Sequence, residues 1–114
     1  MSRKALSDEL KRFVRASIPS VPFLEAMLLL RNEPASDWDA TRLARCLYVS
    51  DGAAARLLAD LHMLGLTECD DGKPASYRYR PAEEPLRTIV DRLAAAYAAN
   101  LVEITHLIHS DDAP

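Results

Sequence analysis

Few side chains in this sequence have the type and spacing for chemistry. Glu103, His106 and His109 recur at i, i+3 and i+6, so two imidazoles on one side of a helix could chelate a metal together. Two ligands without a third and fourth make an incomplete site, and no metal is expected. Cys46 and Cys69 lack a C-x-x-C spacing and read as small buried hydrophobes. Near Cys69 only Lys73 would lower a thiol pKa, whereas Glu68, Asp70 and Asp71 would raise it. His62, beside Asp60 and Met63, reads as solvated. There is no Gly-rich phosphate loop, no G-x-S-x-G elbow and no H-E-x-x-H, and the whole chain has only three Gly. These residues point away from an enzyme and call for no cofactor. A different chemistry lies in Ser76-Tyr77-Arg78-Tyr79-Arg80, where strict alternation puts two tyrosines on one face of a strand and two arginines on the other. One face packs, and the other meets solvent or phosphate.

The elements that would position those arginines can be read upstream. Ser36 is placed to cap a helix, with Asp39 three positions later and Asp37 favourable to the helix dipole. Leu43, Ala44 and Leu47 give that helix an apolar face, Tyr48 and Val49 end it, and Ser50 caps the next. The second helix sets Ala54, Leu57, Leu58, Leu61 and Leu64 on one side and stops at Gly65, the expected left-handed residue. Two short helices joined so tightly must cross steeply. Leu66 and Glu68 then begin a strand, Asp70, Asp71, Gly72 and Lys73 supply a turn, and the Tyr/Arg strand returns.

The run Leu43-Ala44 through Leu47, Val49 and Ser50, with Leu61, Leu64, Gly65 and Leu66 and the basic hairpin, resembles the winged helix-turn-helix of bacterial transcriptional regulators of the MarR and ArsR kind. The resemblance covers roughly residues 21 to 80. It implies a mainly α fold with a small β-hairpin wing and flanking N- and C-terminal helices, and a second helix that reads a major groove. Opposite its apolar side that helix carries Gly52, Ala55, Arg56, Ala59 and Met63, a face nearly empty of hydrogen-bond donors. Only Arg56 could contact guanine in bidentate fashion, while Ala55 or Ala59 could touch a thymine methyl. Asp51 and Asp60 flank the face, and Arg56 could instead pair with Asp60 at i+4. Under the resemblance Thr41 and Ser50 donate to phosphate, and Lys73, Arg78 and Arg80 hold the flanking backbone. ArsR-like metal sensors bear a His pair on a C-terminal helix with further ligands upstream, where this chain has Leu and Ala.

Length and charge bound these expectations. At 114 residues the chain is one domain, and with 49% hydrophobic residues it is globular. A net charge of -3 supplies no long-range attraction for nucleic acid. Residues 1–20 carry five basic side chains against two acidic ones, and residues 81–114 carry six acidic against two basic, so the two ends could attract within or between chains.

The first segment reads as an amphipathic helix with Leu6, Leu10, Phe13 and Val14 on one side and Lys4, Lys11, Arg12 and Arg15 largely on the other. It could cover a partner subunit, contact phosphate or lie on a membrane. It lacks the h-region of a signal peptide, and the longest apolar run, Ala26 to Leu30, is too short to span a bilayer. Ser20-Val21-Pro22 opens a helix through Leu30 that ends before Pro34. From Leu86 onward Ile89, Val90, Leu93, Tyr97, Leu101, Ile104, Leu107 and Ile108 recur at helical spacing, with Asn100 as a left-handed break. Alanines at 94, 95, 96, 98 and 99 make that stretch apolar nearly all round, which suits packing against its own domain or, in preference, a homodimer interface.

The expected organisation is therefore an amphipathic helix in 1–20, a winged-helix core in 21–80 and a helical dimerisation region in 81–114. The expected function is a cytoplasmic, dimeric regulator that binds double-stranded DNA without touching a membrane. The alternative is a winged helix turned to protein recognition, with Gly52, Ala55, Ala59 and Met63 as its patch.

Overall fold

The computed structural model describes residues 7–72 and 75–110, with the side chains of 109 and 110 excepted. The order is α1 (Asp8–Ser17), α2 (Val21–Asn32), α3 (Ala40–Leu47), α4 (Asp51–Leu64), β1 (Thr67–Asp70), β2 (Ser76–Tyr79), α5 (Glu84–Ala99) and α6 (Leu101–Ser110). Helices α2 to α4 followed by the β1-β2 hairpin make a winged helix-turn-helix, flanked by α1 before it and α5 and α6 after it.

Local sequence explains most helix ends. The Ser20 hydroxyl accepts the Phe23 N–H at 3.2 Å, and the Ser50 hydroxyl accepts the Ala53 N–H at 3.0 Å, so each serine satisfies one unpaired donor of the helix it starts. Gly65 closes α4 at φ 94°, where its amide donates to the His62 carbonyl. The start of α3 differs from the expectation. Asp39 is its cap, accepting the Arg42 N–H at 2.8 Å, while Ser36 donates to Glu33 at 3.2 Å in the preceding turn. The reason is Trp38, whose backbone exchanges two 2.7 Å hydrogen bonds with Tyr77 of β2 and therefore stays extended until the residue before the helix.

The core is built around α2, whose Phe23, Leu24, Ala26, Met27 and Leu30 are all buried. Leu43 of α3, Leu58 and Leu61 of α4, Leu66, Trp38 and Tyr79 close around it. Leu57 and Leu64 are only partly buried, so the inward stripe of α4 is narrower than its leucines suggest. In the antiparallel hairpin Thr67 faces Tyr79 and Cys69 faces Tyr77 on the inner side, while Glu68 faces Arg78 on the outer side.

The flanking helices extend the same core with Leu10, Val14, Val90, Leu93, Ile104 and Ile108. Helix α1 packs on α5 and α6 of its own chain through buried Leu10 and Val14, with Phe13 partly buried. Arg92 of α5 donates to Glu9 at 2.7 Å and to Ser7 at 2.9 Å. The ends of the chain do attract, but here the acid lies on the N-terminal side and the base on the C-terminal side, the reverse of the net charges. Leu6, Arg3 and Lys4 lie outside the described residues. Asn100 does separate α5 from α6, yet at φ -133° and ψ 43° rather than in the left-handed region. Among the described residues no single helix is long and apolar enough to cross a membrane.

Candidate nucleic-acid interface

Helix α4 buries Ala54, Leu58 and Leu61 and turns Gly52, Ala55, Arg56, Ala59 and Met63 to solvent. The exposed face is the one the sequence designates for a groove. Arg56 has no hydrogen bond or ion pair among the described residues, so the i+4 pairing with Asp60 does not form. A guanidinium surrounded by methyl groups and free of a carboxylate keeps all its donors for an external acceptor. Met63, 84% exposed, ends the face as a large apolar side chain in water.

The corner between α3 and α4 supplies further donors. Thr41 is exposed and donates to the Asp51 carboxylate at a long 3.4 Å, which ties the start of α3 to the start of α4. Ser50 accepts its capping bond but retains its hydroxyl proton for another partner. Two residues of the corner escaped the sequence reading. Arg45 lies one turn after Thr41 on α3, exposed and unpaired among the described residues. Its i+4 spacing from Thr41 was a usable signal. Tyr48 caps α3 in the left-handed conformation at φ 58°, the one non-glycine residue with positive φ among those described, and its side chain is 94% exposed. That backbone costs about 1–2 kcal/mol for a residue with a Cβ. An aromatic at a helix end ordinarily signals core, so nothing in the sequence pointed outward.

The wing carries its arginines in a different state. Arg78 grips Asp37 through two nitrogens, at 2.8 and 3.1 Å. Arg80 reaches Glu68 at 3.4 Å. Glu68 stands opposite Arg78 in the ladder, so the two arginines share out the acids: Arg80 takes the diagonal partner and Arg78 crosses to the segment before α3. Both pairs are solvent-exposed, where an ion pair is worth at most about 1 kcal/mol and can exchange with another anion. Lys73 lies outside the described residues. Among the described residues no hydrogen bond or ion pair joins Thr41, Ser50 and Arg56 to Arg78 and Arg80.

Other side chains fix the frame. Arg42, which the sequence reading passed over, stacks 3.8 Å over the Trp38 ring, donates to the Asp37 carbonyl at 2.8 Å and pairs with Glu33 at 3.0 Å. It braces the entry to α3. His62 is not simply solvated: its Nδ1 lies 3.0 Å from the Thr67 carbonyl and its ring meets Tyr77 edge-on at 5.9 Å. The same Nδ1 lies 3.1 Å from the Thr67 hydroxyl, and the imidazole links the end of α4 to the hairpin.

Neither cysteine is a buried hydrophobe. Cys46 is exposed because it lies on the outer side of α3, and Cys69 is half-buried on the inner side of the hairpin. Burial and then the Asp71 carboxylate, 3.6 Å from its sulfur, push the Cys69 thiol pKa up. Burial likewise raises the phenols of Tyr77 and Tyr79. His106 is exposed, the His109 side chain lies outside the described set, and no group of three or more metal-ligating side chains occurs among the described residues.

No protein-family model matches the chain, and no curated protein matches it. Two solved structures are similar. A protein described as a possible transcriptional regulator from Methanosarcina mazei Go1 superposes over 89% of this chain and 88% of its own, with 20% identity and a TM-score of 0.55. NolR from Sinorhizobium fredii covers 83% of this chain and 97% of its own, with 21% identity and a TM-score of 0.46, too loose a superposition to carry an argument. At such identity the first likeness establishes the fold.

Proposed function

We propose that the chain is a winged-helix transcriptional regulator of the MarR and ArsR kind, cytoplasmic, homodimeric and bound to double-stranded DNA. The observation that carries this reading is the outward face of α4, solvent-exposed along its length, with Arg56 unpaired at its centre. On this reading Arg56 contacts guanine from the major groove, Ala55 and Ala59 approach thymine methyls, and Thr41 and Ser50 donate to phosphate. Lys73, Arg78 and Arg80 hold the flanking backbone, the last two after exchanging a carboxylate for phosphate. The fold of the Methanosarcina protein, described as a possible regulator, agrees with the reading.

Dimerisation belongs to the same proposal, as does the division into 1–20, 21–80 and 81–114. Leu101, 51% exposed, and Val102, 81% exposed, stand beside a shallow groove with Val21, Tyr97, Thr105 and His106. A second copy would cover this apolar face.

The test is fluorescence anisotropy with random and native-promoter duplexes at low and physiological salt. Binding that prefers promoter DNA and weakens steeply with salt is expected, because phosphate contacts outnumber base contacts. Affinity that stays flat with salt counts against the reading. One observation favours a second reading: the exposed Met63 with Ala55 and Ala59 also suits a protein partner. Loss of a co-purifying polypeptide from an Ala59→Arg variant, in a protein that binds little or no DNA, would support that adaptor role.

A further inference from the structure

We propose that Arg45 and Tyr48, at the corner between α3 and α4, are phosphate-contacting residues that contribute more to duplex affinity than the wing arginines. The inference rests on the DNA-binding reading above and assigns side chains that the sequence did not single out.

Three observations converge on the corner. Arg45 and Arg56 are exposed guanidiniums without an ion pair among the described residues, whereas Arg78 and Arg80 are each held by a carboxylate. An unpaired arginine meets phosphate without first giving up a partner. Tyr48 keeps an aromatic ring 94% exposed at a left-handed position where glycine would sit without strain. The ring is not buried by the folded monomer, and strained residues of this kind cluster where ligands bind. Finally, Ser50 caps α4 directly after the corner through Ala53, and the amides of Asp51 and Gly52 have no acceptor among the described residues. A phosphate at the corner would thus meet the Arg45 guanidinium, the Tyr48 hydroxyl and two helix amides. The Asp51 carboxylate, 3.4 Å from the Thr41 hydroxyl, opposes it with one negative charge against the Arg45 cation. Membranes and acidic peptides also present anions. Duplex DNA is favoured because the corner adjoins the exposed face of α4, and one rigid partner contacts both.

The experiment is duplex anisotropy on the full chain across a salt series, with thermal melting of each variant. Arg45→Ala should weaken binding about ten-fold at low salt and reduce the slope of log affinity against log salt by about 0.9, the loss of one phosphate contact. Arg87→Ala removes the same charge from an exposed position on α5 and should change affinity less than about two-fold. Tyr48→Gly should raise the melting temperature by relieving the left-handed strain while weakening binding, and Tyr48→Phe should lose as much affinity as the glycine variant. A residue with a merely structural role would move the melting temperature and leave binding alone.

If the wild type binds but Arg45→Ala behaves like Arg87→Ala, or Tyr48→Phe binds normally, the corner assignment is overturned while the DNA reading stands. If the wild type binds no duplex even at low salt, both fall together.

Discussion

The helix-turn-helix corner and the hairpin wing carry similar cations under different constraints. At the corner, Arg45 and Arg56 are exposed and unpaired among the described residues, on helices whose ends are set by caps three residues away. In the wing, Arg78 and Arg80 are each tied to an acid, and the hairpin is anchored by Trp38, distant in sequence. The cations of the corner are therefore left open, whereas those of the wing are electrostatically closed. Counting arginines would rank the two regions alike, but their partners separate them.

The comparison can be broken first at the wing's anchor. Trp38→Ala removes a side chain only 1% exposed, together with the stack under Arg42, and should cost about 3–5 kcal/mol in denaturant unfolding. A smaller loss would mean that the buried ring contributes less to the core than its burial indicates. At the corner's centre, Arg56→Ala should cost about 1–3 kcal/mol of duplex affinity by anisotropy, with relaxed preference between promoter and random DNA. An unchanged preference would remove Arg56 from the reading surface.

Asp37→Asn tests the closed state of the wing directly. Releasing Arg78 should tighten duplex binding about three-fold because no carboxylate has to be exchanged, with stability changed by less than about 1 kcal/mol. Weaker binding would show that the ion pair orients Arg78 for DNA rather than withholding it. The smallest effect concerns the inner side of the hairpin. In a Cys46→Ser background, the alkylation rate of Cys69 should rise with pH along a curve displaced above that of an ordinary thiol, since burial and Asp71 disfavour the thiolate. Asp71→Asn should move that curve back toward lower pH.

Much of the fold was legible because its signals are local. Ser20, Ser50, Gly65 and the Asn100 break act within a few residues of where they stand, and the Tyr77/Tyr79 against Arg78/Arg80 alternation names its own buried side. The misreadings occurred where a distant residue intervened. Ser36 has the composition of a cap, yet Trp38 pairs with Tyr77 and delays α3 until Asp39. His62 looked free until the hairpin folded against it. For the candidate interface, Thr41, Ser50, Arg56, Arg78 and Arg80 all lie on exposed parts of the helix-turn-helix or wing. Their ionic partners were not readable, and neither was Tyr48, because its type argued for burial.

The sequence by itself determined the start of α2, both ends of α4, the hairpin alternation and the donor-poor composition of the α4 face, since caps, left-handed stops and periodicity are interactions between near neighbours. Only the tertiary structure decided which cations are free. Asp37 meets Arg78, and Glu68 pairs with Arg80 rather than with the arginine opposite it. The physical reason is range: a backbone cap is satisfied within one turn, whereas the partner of a long charged side chain depends on which distant segments the core has brought together.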